Sequence, residues 1–143
     1  MTIDGRRDIV LLDGGIGQEI HRRSTRGDPH PLWSVMVMRE EPDVVVQVYK
    51  DFLHAGAKVL TLNTYTATPI RLGKQGMKSE LDHIHQEASA LVDKAIQYSG
   101  IARSQISKMG CLPPLAASYV AEAAPDYAKA RSNYERLIEA QID

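Results

Sequence analysis

Short unbroken apolar runs alternate along the chain with longer stretches in which apolar residues recur at helical spacing. Residues 9–12 form one such run, which ends in Asp13 and a Gly-Gly-x-Gly turn. An apolar run bounded by glycine is typical of a strand buried on both faces. Residues 58–62 and 106–109 are also short and apolar or β-branched. They predict a second and a third strand.

Three stretches carry apolar residues three and four positions apart, which predicts one buried face on each of three helices. The first predicted helix covers residues 42–55 and opens on a proline, which suits the first helical position. The second begins at Ser79, the predicted N-cap, and ends at Gly100. The third begins at Tyr127 and runs almost to the last residue.

The segments between these elements are polar or contain glycine and proline. Residues 18–23 predict a short helical turn, and residues 24–31 predict a loop. Gly73 and Gly76 predict an irregular stretch before the long helix. Trp33, the only tryptophan, is expected either to pack in the core or to line a pocket, and packing is the commoner role.

The order strand, helix, strand, helix, strand, helix indicates an α/β fold built from parallel βαβ units. Right-handed crossovers bring the carboxyl ends of parallel strands to one face of the sheet. Asp13, Asn63 and Cys111 each follow a predicted strand. We therefore expect these three residues to share one face, where α/β proteins build their sites.

Composition narrows the class of protein without naming a function. The 143 residues suffice for one domain, and the net charge of −1 gives no indication of nucleic acid or of an anionic membrane. No apolar run approaches the roughly 20 residues of a membrane span. A single cysteine and an N-terminus without a signal-peptide core favour a reducing compartment, so the cytoplasm is the expected location.

Asp13 and the glycines that follow it are the first candidate site. The carboxylate can hold an ammonium group or a hydroxyl, and the amides of Gly14, Gly15 and Gly17 can bind an acid group or a phosphate. The alternative is a tight turn whose aspartate bonds its own backbone. The pattern alone leaves both interpretations open. It lacks the Gly-x-Gly-x-x-Gly of a dinucleotide site.

Asn63, Thr64 and Tyr65 form a second polar cluster at a strand end, and a turn-forming role explains them equally well. Cys111 is more often a small packed residue than a nucleophile. A zinc site rich in cysteine cannot be built from one thiol.

The five histidines show no ligand spacing. His83 and His85 lie two positions apart on a predicted helix, so they point to opposite sides and cannot grip one metal ion. We expect surface or packing positions for both, and also for His21, His30 and His54.

Five short motifs carry a resemblance to a known family. In chain order they are residues 13–19 (DGGIGQE), 32–34 (LWS), 55–57 (AGA), 62–68 (LNTYTAT) and 110–114 (GCLPP). With this order and spacing, the chain from about residue 9 to its end resembles the N-terminal half of the homocysteine S-methyltransferase family. The resemblance implies a (β/α)8 barrel, of which residues 1–143 would form a single partial domain with about three βα units.

The resemblance also implies a reaction and its site. The family transfers a methyl group from S-methylmethionine, S-adenosylmethionine or betaine to the sulfur of homocysteine, and methionine is the product. A zinc ion held by three cysteines binds that sulfur as a thiolate. By motif match, Asp13 and Gly14 would grip the amino-acid end of homocysteine, and Asn63 and Thr64 would line the same pocket.

The chain departs from the family pattern at the metal. The zinc cysteines of the family follow later strands and include a Gly-Gly-Cys-Cys stretch that this sequence lacks. Cys111 stands where the family often has serine, so it is not assigned as a ligand. Gln18 replaces a common threonine. No catalytic residue and no metal ligand is therefore assigned to this chain.

Two interpretations stay open. In the first, the chain is the N-terminal segment of a methyltransferase, truncated or split from its C-terminal half, and is inactive alone. In the second, it is a non-catalytic half-barrel or binding module that covers its open sheet edge by association. Both predict self-association or pairing with a missing half, because an open parallel sheet exposes apolar surface.

Overall fold

The structure, a computed structural model, describes residues 9–27 and 30–142. This part of the chain contains both α-helices and β-strands. The helices and strands are, in order, α1 (Ile16–Arg23), α2 (Trp33–Glu40), α3 (Pro42–His54), β1 (Val59–Thr61), α4 (Pro69–Lys74), α5 (Leu81–Ser99), β2 (Ser107–Met109) and α6 (Tyr127–Glu139). Short 3-10 turns lie at Lys78–Glu80, Arg103–Gln105 and Ala121–Ala123.

Strands β1 and β2 pair in parallel, with Val59 opposite Ser107 and Thr61 opposite Met109. Helices α4 and α5 lie between them in the chain, as a parallel connection requires. The predictions of strands at residues 58–62 and 106–109 are confirmed, and each strand is shorter than predicted.

The prediction of a first strand buried on both faces is wrong. In the segment 9–12 the structure records one parallel bridge, between Leu12 and Val59. Two backbone hydrogen bonds support it, from the Lys58 N–H to the Leu11 carbonyl and from the Asp13 N–H to the Val59 carbonyl. Ile9 is 96% exposed and Leu12 49% exposed. The segment therefore lies at the edge of the sheet. A strand is buried on both faces only where other elements cover it, and the described residues do not cover both faces of this segment.

The long helix matches its prediction at one end. Gly100 ends α5 in the left-handed conformation with φ +75°, which favours glycine. Ser79 is not the N-cap, because it lies in the preceding 3-10 turn, and Glu80 occupies the cap position without a side-chain hydrogen bond. A tight turn therefore takes the place of the predicted capping box.

Helix α3 confirms its prediction within one residue, and α6 begins at the predicted residue and ends at Glu139, short of the predicted end. The proline at the start of α3 stands in the first turn, where its missing N–H costs nothing. Helix α6 is capped by Asp126, whose carboxylate accepts a hydrogen bond from the Lys129 N–H at 2.9 Å. The predicted turn at residues 18–23 is the longer helix α1.

The expectation of an irregular stretch is wrong at Gly73, which lies inside helix α4, and is confirmed at Gly76, which lies in a turn with φ +71°. The Thr68 side chain caps this helix by accepting a hydrogen bond from the Arg71 N–H at 3.1 Å. Pro69 fits the first turn and, like Leu72, is buried. The cap and this packing offset the roughly 1 kcal/mol cost of a helical glycine.

The core lies between the helices and the small sheet, where α3 packs against α5. Tyr49, Leu60, Ile84 and Val92 are fully buried there. The Tyr49 hydroxyl donates a hydrogen bond to the Thr61 carbonyl at 2.7 Å, which ties α3 to β1. No helix in the described part of the chain is long and apolar enough to cross a membrane.

Candidate functional site

A cavity of about 570 Å³ opens where the two strands end. Its wall includes Gly14 from the turn after residue 13, Asn63 after β1 and Cys111 after β2. The prediction that these strand ends share one face is confirmed. Trp33 and Tyr65 add aromatic surface to the same wall. Trp33 also packs against the core, so it fills both of the roles considered for it.

The glycine turn is held close to two aromatic rings. A Cβ at position 14 would lie 2.8 Å from Cε1 of Phe52. A Cβ at position 17 would lie 3.1 Å from Cη2 of Trp33. A side chain at residue 14 would therefore force the Phe52 ring to shift, and one at residue 17 would require a small movement of the Trp33 indole. The three glycines of the turn line the cavity with their backbone, and Ile16 and Gln18 line it beside them.

Asp13 is bound to the neighbouring strand. Its carboxylate accepts hydrogen bonds from the Thr61 N–H at 2.7 Å and from the Thr61 hydroxyl at 2.9 Å. Burial raises the pKa of this carboxyl above its ordinary value, and the bonds from Thr61 partly oppose that rise. The carboxylate itself is not part of the cavity wall. Asp13 immediately precedes Gly14, which is part of the wall.

Asn63 and Thr64 differ in their access to the cavity. Asn63 is buried and lines the wall, and its amide N–H donates to the Ser34 carbonyl at 3.1 Å. The hydrogen bonds among the described residues do not include its amide oxygen. Thr64 is fully buried and is not part of the wall. Its hydroxyl has no hydrogen-bond partner among the described residues, which is uncommon for a buried polar atom.

Cys111 lines the cavity with its backbone clamped by a glutamine. The Cys111 N–H donates to Oε1 of Gln141 at 2.6 Å, and Nε2 of Gln141 donates to the Cys111 carbonyl at 3.2 Å. A Cβ at Gly110 would lie 2.5 Å from Gln141 Oε1, so glycine permits the clamp. Burial, and secondarily the charge of Asp13, raises the pKa of the Cys111 thiol. The thiol therefore stays protonated near neutral pH.

The sequence pattern did not indicate two other parts of the wall. Arg71 reaches it from α4, a helix that the sequence did not predict. Ser118 and Tyr119 belong to the loop before α6, and Tyr119 has a φ of +63°, unusual for a residue with a side chain. The Tyr65 hydroxyl and the Ser118 hydroxyl are 2.7 Å apart and hydrogen-bonded. The proline-rich motif at residues 110–114 did not predict this contact between Tyr65 and Ser118.

The histidines lie at the surface or in packing positions, as predicted. His21 stands edge-on to Trp33, with ring centroids 5.3 Å apart. His85 is buried, and its Nε2 lies 3.0 Å from the Ala67 carbonyl, which can only accept, so Nε2 carries the proton. Its Nδ1 has no hydrogen-bond partner within residues 9–27 and 30–142, and burial lowers the pKa of the imidazole. The described residues contain no group of three histidine, cysteine or acidic side chains placed to hold a metal ion.

Comparison with known families and sequences gives consistent matches. A family model described as homocysteine S-methyltransferase matches residues 10–143. A homocysteine S-methyltransferase of Escherichia coli (strain K12) is 30% identical over 98 residues, which are 68% of this chain and 29% of that protein. Homocysteine S-methyltransferase 2 of Saccharomyces cerevisiae is 25% identical over 142 residues, 92% of this chain and 42% of that protein.

Comparison with solved structures agrees. The metallated form of the homocysteine methyltransferase MmuM from Escherichia coli superimposes with a TM-score of 0.74 at 26% identity. The match covers 96% of this chain and 52% of that one, and the oxidized form gives a TM-score of 0.70 over the same shares. The chain thus spans about half the length of the solved relative and less of the sequence relatives.

Proposed function

Because the chain belongs to the homocysteine S-methyltransferase family, we propose that its cavity binds homocysteine for methyl transfer to the homocysteine sulfur. S-methylmethionine or S-adenosylmethionine is the proposed donor, and methionine the product. We take the described elements as about the first three βα units of a (β/α)8 barrel. The observation that carries the proposal is the family match over residues 10–143, whose motif residues Gly14 and Asn63 meet in one cavity.

Four residues are proposed to hold the amino-acid end of homocysteine. The ammonium group pairs with the Asp13 carboxylate, and the acid group accepts from the backbone amides that start at Gly14. The free amide oxygen of Asn63 accepts a further hydrogen bond. Thr64 supplies a buried hydroxyl that has no hydrogen-bond partner in the described part of the chain, which a bound ligand or water would satisfy.

The residues present do not fit the zinc ion that the family implies. A three-thiolate site needs three cysteines, and the sequence contains Cys111 alone. The raised pKa of that thiol disfavours the thiolate that zinc binds. We therefore propose that these 143 residues bind homocysteine and do not turn it over by themselves. Ligands for zinc have to come from outside them.

Aromatic surface in the cavity supports the donor class. Both proposed donors carry a sulfonium cation, and cations are attracted to the faces of aromatic rings. Trp33, the only tryptophan, lines the wall, and the Arg71 guanidinium already lies over the ring of Tyr65. A donor docked against Trp33 would bring its methyl group into the cavity that homocysteine shares.

Calorimetric titration of the chain with homocysteine tests the proposal, with 1-butanethiol as the control ligand that lacks the amino-acid end. We expect saturable binding of homocysteine and no binding of 1-butanethiol. An assay with S-methylmethionine and added zinc should give no methionine. A folded chain that binds neither homocysteine nor methionine would overturn the proposal, and turnover with stoichiometric zinc would overturn the claim of inactivity.

A second candidate function is a binding module that acts through its exposed edge. The segment 9–12 is apolar, and Val10 is 57% and Leu11 51% exposed. Met109, at the end of the other strand, is 42% exposed. Apolar strand edges of this kind pair with another chain or with a second copy. This candidate requires association and does not require homocysteine.

A further inference from the structure

Arg71 is the only formally charged side chain in the described wall of the cavity. The other wall residues are glycines, aromatic or aliphatic side chains, neutral polar groups and the Cys111 thiol. The Thr68 cap fixes the Arg71 backbone in the first turn of α4. Arg71 therefore adds a positive charge to this part of the wall, which locally favours an anionic group on the molecule that fills the cavity.

The guanidinium of Arg71 is poorly satisfied by the protein. It lies 5.7 Å from the centroid of the Tyr65 ring. Its Nη2 makes two long contacts, 3.3 Å to the Pro114 carbonyl and 3.4 Å to the Ser118 hydroxyl. Its Nε is buried and has no hydrogen-bond partner among the described residues. A guanidinium has five N–H donors, so most of the fork is free.

Ion pairing separates Arg71 from the other arginines. Every other arginine in the described part of the chain lies within 4.0 Å of a carboxylate oxygen, as Arg39 does with Glu80 at 2.6 Å. Arg71 has no such partner among these residues. A half-buried, unpaired guanidinium at a cavity wall is suited to a carboxylate that arrives with a ligand.

We propose that Arg71 binds the carboxylate of the amino-acid ligand in this cavity and selects acids over the corresponding amines. The inference rests on the proposed function, because it takes the ligand to be homocysteine or the methyl donor. Both carry a carboxylate, and the planar fork can bind either with paired N–H donors. The ligand carboxylate then accepts hydrogen bonds from N–H donors at the outer end of the fork, beyond the buried Nε.

The competing interpretation is a structural tether, in which Arg71 only fastens the loop at Pro114 and Ser118 to α4. Its two contacts there are at the long end of the hydrogen-bond range. A tether and a carboxylate anchor differ in one measurable respect. Loss of a tether weakens every ligand equally, whereas loss of the anchor weakens only ligands that carry the carboxylate.

The test is a fluorescence titration that follows Trp33, the single tryptophan and a wall residue. Two ligand pairs are compared: homocysteine with 3-aminopropane-1-thiol, and S-methylmethionine with its decarboxylated analogue. The chain variants are Arg71→Met, Arg71→Lys and the matched control Arg131→Met, which removes an exposed arginine on α6. Circular dichroism checks the fold of each variant.

Arg71→Met is expected to weaken the binding of the ligand that carries the carboxylate about 10- to 100-fold, which is the effect of one charge-assisted hydrogen-bonded contact. The affinity for the amine analogue should stay unchanged. The pair that responds identifies which carboxylate Arg71 holds. Arg71→Lys should show a smaller loss with the same selectivity, and it carries the test if Arg71→Met does not fold. Arg131→Met should bind like the unaltered chain.

An equal loss for acid and amine, or no loss for either, would overturn the role of Arg71. In both cases binding to the unaltered chain persists, and the proposed function stands. If the unaltered chain binds neither homocysteine nor S-methylmethionine, the proposed function fails and this inference fails with it.

Discussion

Both carboxylate oxygens of Asp13 accept hydrogen bonds from Thr61, one from its backbone N–H at 2.7 Å and one from its hydroxyl at 2.9 Å. The pair joins the exposed segment 9–12 to β1 and sets a negative charge one residue from the cavity wall. Asp13 therefore has a structural partner in addition to the binding role proposed for it. The two roles can be separated, because an amide retains the shape of the carboxylate and loses its charge.

The substitution Asp13→Asn should weaken the binding of homocysteine about 10-fold or more and leave the fold intact. The amide oxygen accepts from the Thr61 N–H, and the hydroxyl rotates to accept from the new amide N–H. The raised pKa of Asp13 means that its ionisation lowers stability as pH rises from 3.8 through the folded-state pKa. Asparagine lacks this loss, so urea unfolding at pH 7 should show equal or greater stability. Unchanged affinity would contradict the ammonium role.

Gly14→Ala should destabilise the chain by about 1–3 kcal/mol, because its Cβ would meet Phe52 at 2.8 Å. Gly73→Ala is the matched control, since a Cβ there meets nothing within 4 Å and the residue is helical. It should stabilise by about 0.5–1 kcal/mol. Thermal or urea unfolding measures both. Equal effects of the two substitutions would mean that the close approach of Phe52 is not a constraint.

His85 should make the fold less stable in acid. Its pKa is lowered in the folded state by burial, so the unfolded chain binds the proton more tightly. Stability is then fully present above the ordinary histidine pKa of 6.5 and is lost as pH falls from there through the folded-state pKa. His85→Gln keeps a donor for the Ala67 carbonyl and should flatten this part of the pH profile. A pH profile that His85→Gln leaves unchanged would contradict this role of His85.

Val10→Lys tests the exposed edge. Val10 is 57% exposed in an apolar segment, and a charge on a strand edge opposes pairing with another chain. The unaltered chain should form dimers or larger species in light scattering at high concentration, and the variant should shift toward monomer. Gln97→Lys adds the same charge at an exposed site on α5 and should not shift it. A monomeric unaltered chain would count against association.

Periodic patterns predicted the elements that pack on the core. Helices α3, α5 and α6 and both paired strands were visible because their apolar stripes face buried partners such as Tyr49 and Leu60. Helices α2 and α4 were missed, since α2 is apolar almost all round and α4 depends on the Thr68 cap more than on a stripe. The segment 9–12 was misjudged because its burial depends on layers beyond its own sequence.

The candidate site was predictable only in part. The motif residues Gly14 and Asn63 line the cavity, as the order of strands and the family resemblance suggested. Arg71 and Ser118 could not be predicted, because each reaches the cavity through a long-range contact between α4 and the loop before α6. The spacing of residues along the chain does not reveal contacts between distant segments.

Nuclear magnetic resonance of the ¹⁵N-labelled chain during a homocysteine titration tests the central claim most directly. If the cavity binds homocysteine, we expect saturable shifts concentrated in the amides of Gly14, Gly15, Asn63 and Cys111, which surround the cavity. The same titration of Asp13→Asn should require a higher concentration to reach the same shifts. Spectra that do not change, or shifts confined to residues away from this wall, would contradict the claim that the cavity binds homocysteine.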